Sequence, residues 1–134
     1  INDVVPYQFL LPAAPYVSKG NTTIDINFLQ EKKEYLQSLC DVLIIEGAGG
    51  LMVPIEKDFF MIDLIKLFNC ETFLITPSKL GCINDTLLSI NILKEKNIDF
   101  EFYINLYQDI ESFEKVSKPF LIDYFKKLNF LQDF

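Results

Sequence analysis

Short apolar runs alternate along this chain with longer segments in which apolar residues recur every three or four positions. The runs are rich in β-branched residues and predict strands at residues 42–45, 72–76 and 100–105. The periodic segments predict helices at residues 24–39, 59–68, 84–96 and 120–128, after a loop at 1–23. We therefore predict a single α/β domain over residues 1–134, with a mostly parallel sheet and helices on both faces in three layers.

Polar residues follow each of the predicted strands. Glu46 follows the first, Ser78 and Lys79 follow the second, and Asn105 ends the third. Carboxyl ends of parallel strands meet at one edge of a sheet, where ligands bind, so we expect these side chains to lie together. A carboxylate such as Glu46 can bind Mg²⁺, and an amide such as Asn105 can read a purine edge.

Small residues accompany two of these strand ends. The Glu46-Gly47-Ala48-Gly49-Gly50 turn would let a phosphate or a substrate approach the backbone, and Gly81 would do so before the next helix. Simpler interpretations stay open. An acid before a glycine-rich turn is common in α/β proteins, Asn84 or Asp85 could cap the helix, Lys79 could be a solvated lysine, and Asn105 could stabilise a turn.

Composition excludes several function classes. The net charge of −7 argues against a nucleic-acid partner, and the absence of histidine rules out a histidine base or zinc ligand in this chain. Cys40, Cys70 and Cys82 lack the CxxC spacing, which favours free thiols in a reducing cytoplasm. No apolar run reaches membrane-spanning length, so we expect a cytoplasmic protein without a membrane partner.

Three segments together resemble dethiobiotin synthetases, which are P-loop NTPase-like, ATP-dependent cyclo-ligases of biotin synthesis. The residues that carry the resemblance are the Glu46–Gly50 turn followed by Pro54, the run Lys79-Leu80-Gly81-Cys82-Ile83-Asn84, and the loop Pro12-Ala13-Ala14-Pro15. The second run is the most specific. The resemblance extends over residues 6–106, and residues 107–134 match weakly.

This resemblance implies a homodimeric enzyme that converts 7,8-diaminononanoate, CO₂ and ATP into dethiobiotin, ADP and phosphate with Mg²⁺. It implies that Glu46 binds the metal. The residues that it places at ATP are Glu46, Gly47, Ala48, Gly49 and Asn105. The residues that it places at the diamine substrate are Ala14, Pro15, Gly49, Gly81, Cys82 and Asn84.

The chain also departs from that family. It contains no Gly-Lys-Thr or Gly-Lys-Ser, and Leu106 stands where the family often has aspartate after the strand-end asparagine. The P-loop, the catalytic lysine and a second metal-binding aspartate of the family would all precede Ile1. We therefore expect the chain to correspond to the carboxyl-terminal two-thirds of the enzyme, with no catalytic residue of its own and no activity alone.

Two other interpretations remain. A ParA/MinD-like or amidating-synthase ATPase would share the strand-end acid but not the run from Lys79 to Asn84. A short, non-catalytic paralogue that only dimerises would explain the missing Gly-Lys-Thr, but it would have no need for a metal ligand at Glu46.

Overall fold

A computed structural model describes residues 4–133 of the chain. The backbone divides into two compact units, Ile1–Cys70 and Glu71–Phe134, which we describe in turn. The single domain expected over residues 1–134 stays a prediction. Among the described residues, no helix has the length and apolar character needed to cross a bilayer.

Within its described residues, the first unit contains three helices and a small antiparallel hairpin. Its elements are α1 (Pro15–Ser18), α2 (Ile26–Gln37), β1 (Pro54–Glu56), β2 (Phe59–Phe60) and α3 (Met61–Phe68). The Asp25 carboxylate accepts the N–H groups of Asn27 and Phe28 at 2.9 and 3.3 Å, and so caps α2. Buried side chains of this unit include Ile24, Ile55, Ile62 and Phe68.

The prediction of a strand at residues 42–45 is wrong. The segment has no strand partner within the described residues, and the side chains of Val42 and Ile44 are 77% and 88% exposed. A strand is stable only where a neighbouring strand satisfies its N–H and C=O groups, and apolar β-branched residues cannot supply that partner themselves. The loop predicted at residues 1–23 also differs, because one helical turn, α1, lies within it.

The described part of the second unit has a two-stranded parallel sheet with helices packed on one face. Its strands are β3 (Phe73–Pro77) and β4 (Glu101–Asn105), and α4 (Cys82–Glu95) connects them. Two further helices, α5 (Ile110–Ser112) and α6 (Lys118–Phe125), follow β4, with a short 3₁₀ turn at Leu131–Asp133. The two predicted strands and the helix between them are confirmed, with ends shifted by one or two residues. This β-α-β unit makes the protein an α/β protein.

One face of this sheet carries the core of the unit. Thr76 and Ile104 are partners in the register and are both buried. Ile104 packs with Cys82, Phe113 and Leu121 in a single apolar cluster. On the opposite face, Phe73 and Ile75 are 52% and 48% exposed. The described part of this unit thus covers one face of the sheet, and the three-layer arrangement stays a prediction.

A wide helical turn joins α5 to α6. Residues Phe113–Ser117 form a π-helix, and Pro119 follows in the first turn of α6. Proline has no N–H group to donate, so it is tolerated in the first turn of a helix. Phe113, Ser117 and Leu121 are all buried, whereas Phe120 and Tyr124 are 42% and 57% exposed.

Candidate functional site

The carboxyl ends of β3 and β4 lie side by side, because Pro77 pairs with Asn105 in the parallel register. Ser78 follows β3 directly and is buried, and its hydroxyl donates to the carbonyl oxygen of Gln108 beyond β4. This bond holds the two loops together at the sheet edge. Two of the three predicted polar strand ends therefore share one edge, where α/β sheets bind ligands.

The loop after β3 leads into α4 through a glycine with left-handed backbone geometry. Gly81 has φ of 93°, a value that favours glycine, and the N–H of Cys82 donates to the Lys79 carbonyl at 3.1 Å. No side chain caps the helix. Asn84 lies inside the first turn, where its amide donates to Asp85 at 3.2 Å, so the capping alternative for both residues is wrong.

The residues of this loop differ in what they could offer a ligand. Cys82 is 1% exposed and its thiol packs in the core, so any ligand contact would come from the backbone around it. Gly81, Asn84 and Lys79 are exposed. The first N–H groups of a helix have no acceptor within the helix, which makes the start of α4 suitable for an anion such as a carboxylate.

Asn105, at the end of β4, has a partner that the sequence pattern did not indicate. Its side-chain oxygen accepts a hydrogen bond from Gln132 Nε2 at 2.8 Å. The same Gln132 side chain accepts the N–H of Leu106 through Oε1 at 3.1 Å. The C-terminal segment thus reaches the strand end that we predicted to contact a nucleotide.

The glycine-rich turn lies in the first unit and has a well-defined backbone. Gly49 has φ of 84°, and the turn closes through the N–H of Val53 donating to Gly50 at 3.0 Å. The first N–H groups of α3 donate to the carbonyls of Val53 and Leu51 at 3.0 and 2.9 Å. These bonds attach the turn to the start of α3 and so restrict the positions that its glycines can adopt.

Glu46 precedes this turn and is exposed. Its carboxylate has no hydrogen-bond or ion-pair partner among residues 4–133, so both oxygens are available to a ligand. In the same part of the chain, no three cysteine or acidic side chains gather into a complete metal site. Glu46 could therefore contribute one oxygen ligand to a Mg²⁺ ion whose remaining ligands come from phosphates, water or other residues.

The loop that contains Ala14 and Pro15 is held by side-chain hydrogen bonds. The hydroxyl of Ser18 donates to the carbonyls of Leu11 and Ala13, both at 2.9 Å. Ala14 is the residue before α1, and its carbonyl accepts two N–H groups from that turn. Ala14 and Pro15 therefore lie on a folded turn rather than on an open loop.

An ion pair attaches this turn to the hairpin. Lys19 Nζ lies 3.1 Å from Glu56 Oε2, and their side chains are only 11% and 23% exposed. The N–H of Ile24 donates to the other oxygen of Glu56 at 2.8 Å, and Lys19 also donates to the Thr22 carbonyl at 3.0 Å. The pKa of Glu56 lies below its ordinary value mainly because of the hydrogen bond from Ile24, and Lys19 lowers it further.

Sequence reasoning missed the residues that position these candidates. Ser18, Lys19 and Glu56 belong to no motif, and Lys19 and Glu56 lie too far apart in sequence for any periodic pattern to connect them. Gln132 lies in the segment whose resemblance was weakest. The one available signal was the pair of amide side chains, Asn129 and Gln132, on either side of the apolar residues Phe130 and Leu131.

Comparison with known proteins first defines the class. The family described as "AAA domain" matches residues 1–104, which is most of the chain. This places the chain among P-loop NTPase-like α/β proteins, in agreement with the β-α-β unit of the second half.

The relatives then define the family. The chain is 55% identical over 118 residues to the ATP-dependent dethiobiotin synthetase of Sulfurovum sp., a match that covers 88% of this chain and 56% of the relative. It is 36% identical to that of Wolinella succinogenes, over 90% of the chain and 57% of the relative. The dethiobiotin synthetase of Methanococcus vannielii is 32% identical and is covered over 70% of its length. The chain belongs to the dethiobiotin synthetase family, and it spans a little over half the length of the first two relatives.

Proposed function

We propose that the full-length protein is an ATP- and Mg²⁺-dependent cyclo-ligase that forms dethiobiotin, ADP and phosphate from 7,8-diaminononanoate, CO₂ and ATP. The observation that carries this proposal is the 55% identity to the Sulfurovum dethiobiotin synthetase over 88% of the chain. The relatives' shared name also favours this activity over that of a ParA/MinD-like switch or an amidating synthase.

Glu46 is proposed to bind Mg²⁺, and the geometry of its surroundings is compatible with that role. The carboxylate is exposed and has no partner among the described residues, and hard oxygen ligands are those that Mg²⁺ prefers. When bound, the ion would supply positive charge that offsets the charge of the phosphates. Gly47, Ala48 and Gly49 would border the nucleotide, and Asn105 would hydrogen-bond to its base.

Three segments are proposed to contribute to substrate binding, and the one at the start of α4 would come from the neighbouring subunit. Ala14, Pro15 and Gly49 would border the diamine. Gly81, Cys82 and Asn84 would receive the carboxylate tail at the start of α4, where free N–H groups favour an anion. We further propose a cytoplasmic homodimer with a three-layer sheet, in which activity belongs to the full-length protein and not to these 134 residues alone.

The decisive experiment measures dethiobiotin formation by the purified full-length protein. Product and ADP should appear together, and only when diaminononanoate, CO₂, ATP and Mg²⁺ are all present. Glu46→Gln should raise the Mg²⁺ concentration for half-maximal rate by at least about tenfold, since even partners that merely orient metal ligands contribute that much.

Glu31→Gln is the matched control, because Glu31 is an exposed glutamate on α2 of the same unit. It makes the same change of charge away from the turn. Lack of dethiobiotin formation by the unaltered protein would refute the proposed activity. Equal Mg²⁺ requirements for Glu46→Gln and Glu31→Gln would refute the metal role alone.

A further inference from the structure

The segment after α6 runs along the edge of β4 that does not pair with β3. The N–H of Ile104 donates to the carbonyl of Asn129 at 2.9 Å, and Phe130 forms a parallel bridge with Ile104. The Asn129 side chain donates to the carbonyl of Phe102 at 3.3 Å. These contacts hold residues 129–130 beside β4 and place Gln132 at the carboxyl end of that strand.

The orientation of the Gln132 amide follows from its two partners. The N–H of Leu106 can only donate, so Gln132 must turn Oε1 toward it, as the 3.1 Å contact shows. Its Nε2 group is then directed to Asn105, at 2.8 Å from Oδ1. Asn105 must in turn present oxygen, and not nitrogen, to Gln132. The N–H of Leu106 thus fixes the orientation of the Gln132 amide, and the Gln132 amide in turn fixes that of the Asn105 amide.

We infer that Gln132 is a positioning residue that fixes which end of the Asn105 amide faces a bound purine, and that it thereby sets the preference among nucleotides. This inference rests on the proposed function, in which Asn105 contacts the base of ATP. The motifs that we identified in the sequence give no role to Gln132, whereas the hydrogen bonds do.

The chemistry of purine edges explains why the orientation matters. Adenine presents a ring-nitrogen acceptor beside an amino donor, whereas guanine has a carbonyl acceptor where adenine has the amino group. An asparagine amide matches the adenine pattern in one orientation, with oxygen toward the amino group and nitrogen toward the ring. Rotating the amide by half a turn exchanges donor and acceptor, so that like groups then face each other.

Gln132→Glu tests this directly in the natural full-length protein. The variant keeps an oxygen for the Leu106 N–H but can no longer donate to Asn105, so the Asn105 amide should turn to present its nitrogen. Calorimetric dissociation constants for ATP and GTP should show ATP binding weakened by about tenfold and the preference for ATP over GTP reduced. Gln132→Ala releases the amide without reversing it, and should weaken ATP binding by about threefold.

Gln108→Glu is the matched control, because it adds the same charge to the exposed segment after β4 without replacing the partner of Asn105. In an Asn105→Ala background, Gln132→Glu should cause no further loss, an outcome that a general effect on folding would not produce. If Gln132→Glu fails to fold, Gln132→Met decides in its place, since it keeps the length of the side chain without either polar group.

The results separate this inference from the proposed function. If the unaltered protein binds ATP and Gln132→Glu keeps the affinity and the ATP-to-GTP ratio of Gln108→Glu, the role of Gln132 is refuted and the proposed activity stands. If Gln132→Glu is just as harmful without the Asn105 side chain, the positioning role is also refuted. If the unaltered protein binds no ATP, both are overturned.

Discussion

Replacing Gly49 with alanine should destabilise the protein by about 2–4 kcal/mol, because the added methyl group meets two separate obstacles. The first is the backbone. Gly49 has φ of 84°, and left-handed geometry costs a residue with a Cβ atom about 1–2 kcal/mol. This conformation is what lets the glycine-rich turn close before Val53.

The second obstacle is the neighbouring side chain. A Cβ atom at Gly49 would lie 3.0 Å from Cγ2 of Val53, well inside the roughly 3.5–4.0 Å at which carbon atoms pack. Val53 is β-branched and therefore stiff, and its carbonyl accepts the N–H of Met61 at 3.0 Å, so it has little freedom to move. Overpacking of this kind costs about 1–2 kcal/mol.

The neighbouring glycine gives a matched control. A Cβ atom at Gly50 would meet nothing within 4 Å, so Gly50→Ala should change stability by no more than about 0.5 kcal/mol. Urea unfolding of the full-length protein measures both variants. In a Val53→Ala background, Gly49→Ala should cost only the backbone part of the loss, because the side chain that the new methyl group would meet is gone. Equal destabilisation by the two glycine variants, or no coupling with Val53, would refute the reasoning.

Two further predictions concern stability. Hydrogen bonding from Ile24 and the charge of Lys19 lower the pKa of Glu56 from its ordinary value of 4.5. The ionised Glu56 therefore stabilises the folded protein fully above that pH, and this stabilisation is lost as the pH falls through the lower pKa of the folded state. Urea midpoints below pH 4.5 should therefore fall less for Glu56→Gln than for the unaltered protein, and parallel curves would contradict this. Cys82→Ser, which buries a hydroxyl in the core, should cost about 1–3 kcal/mol in the same assay. The exposed Cys40→Ser should cost under about 0.5 kcal/mol, and equal losses would argue against burial of Cys82.

Elements of the second unit could be predicted from sequence because their local patterns and their packing agree. Strands β3 and β4 combine β-branched or aromatic residues with burial on one face, and α4 repeats its apolar residues at helical spacing. The run from Lys79 to Asn84 located the loop before α4, although it placed the start of the helix two residues late. Local patterns of this kind need no knowledge of distant partners.

The errors and omissions arose where distant partners decide the structure. Residues 42–45 have the composition of a strand but no strand beside them among the described residues. The Glu56 bonds to Lys19 and Ile24, and the Gln132 bond to Asn105, join residues that are remote in sequence. Hydrophobic periodicity reports which side chains are buried, not which polar atoms meet, and so it identified Asn105 without the residue that orients it.

The π-helical turn at Phe113–Ser117 has a consequence for aligning relatives of this chain. In an uninterrupted α-helix, the residue two turns after Phe113 is Phe120, and apolar spacing would assign Phe120 and Tyr124 to the core. The wide turn instead brings Leu121 to the buried face. For a relative whose helix continues here without the wide turn, an alignment without a one-residue gap would pair buried positions with exposed ones in α6. Such an alignment would make this region look more divergent than its structure is.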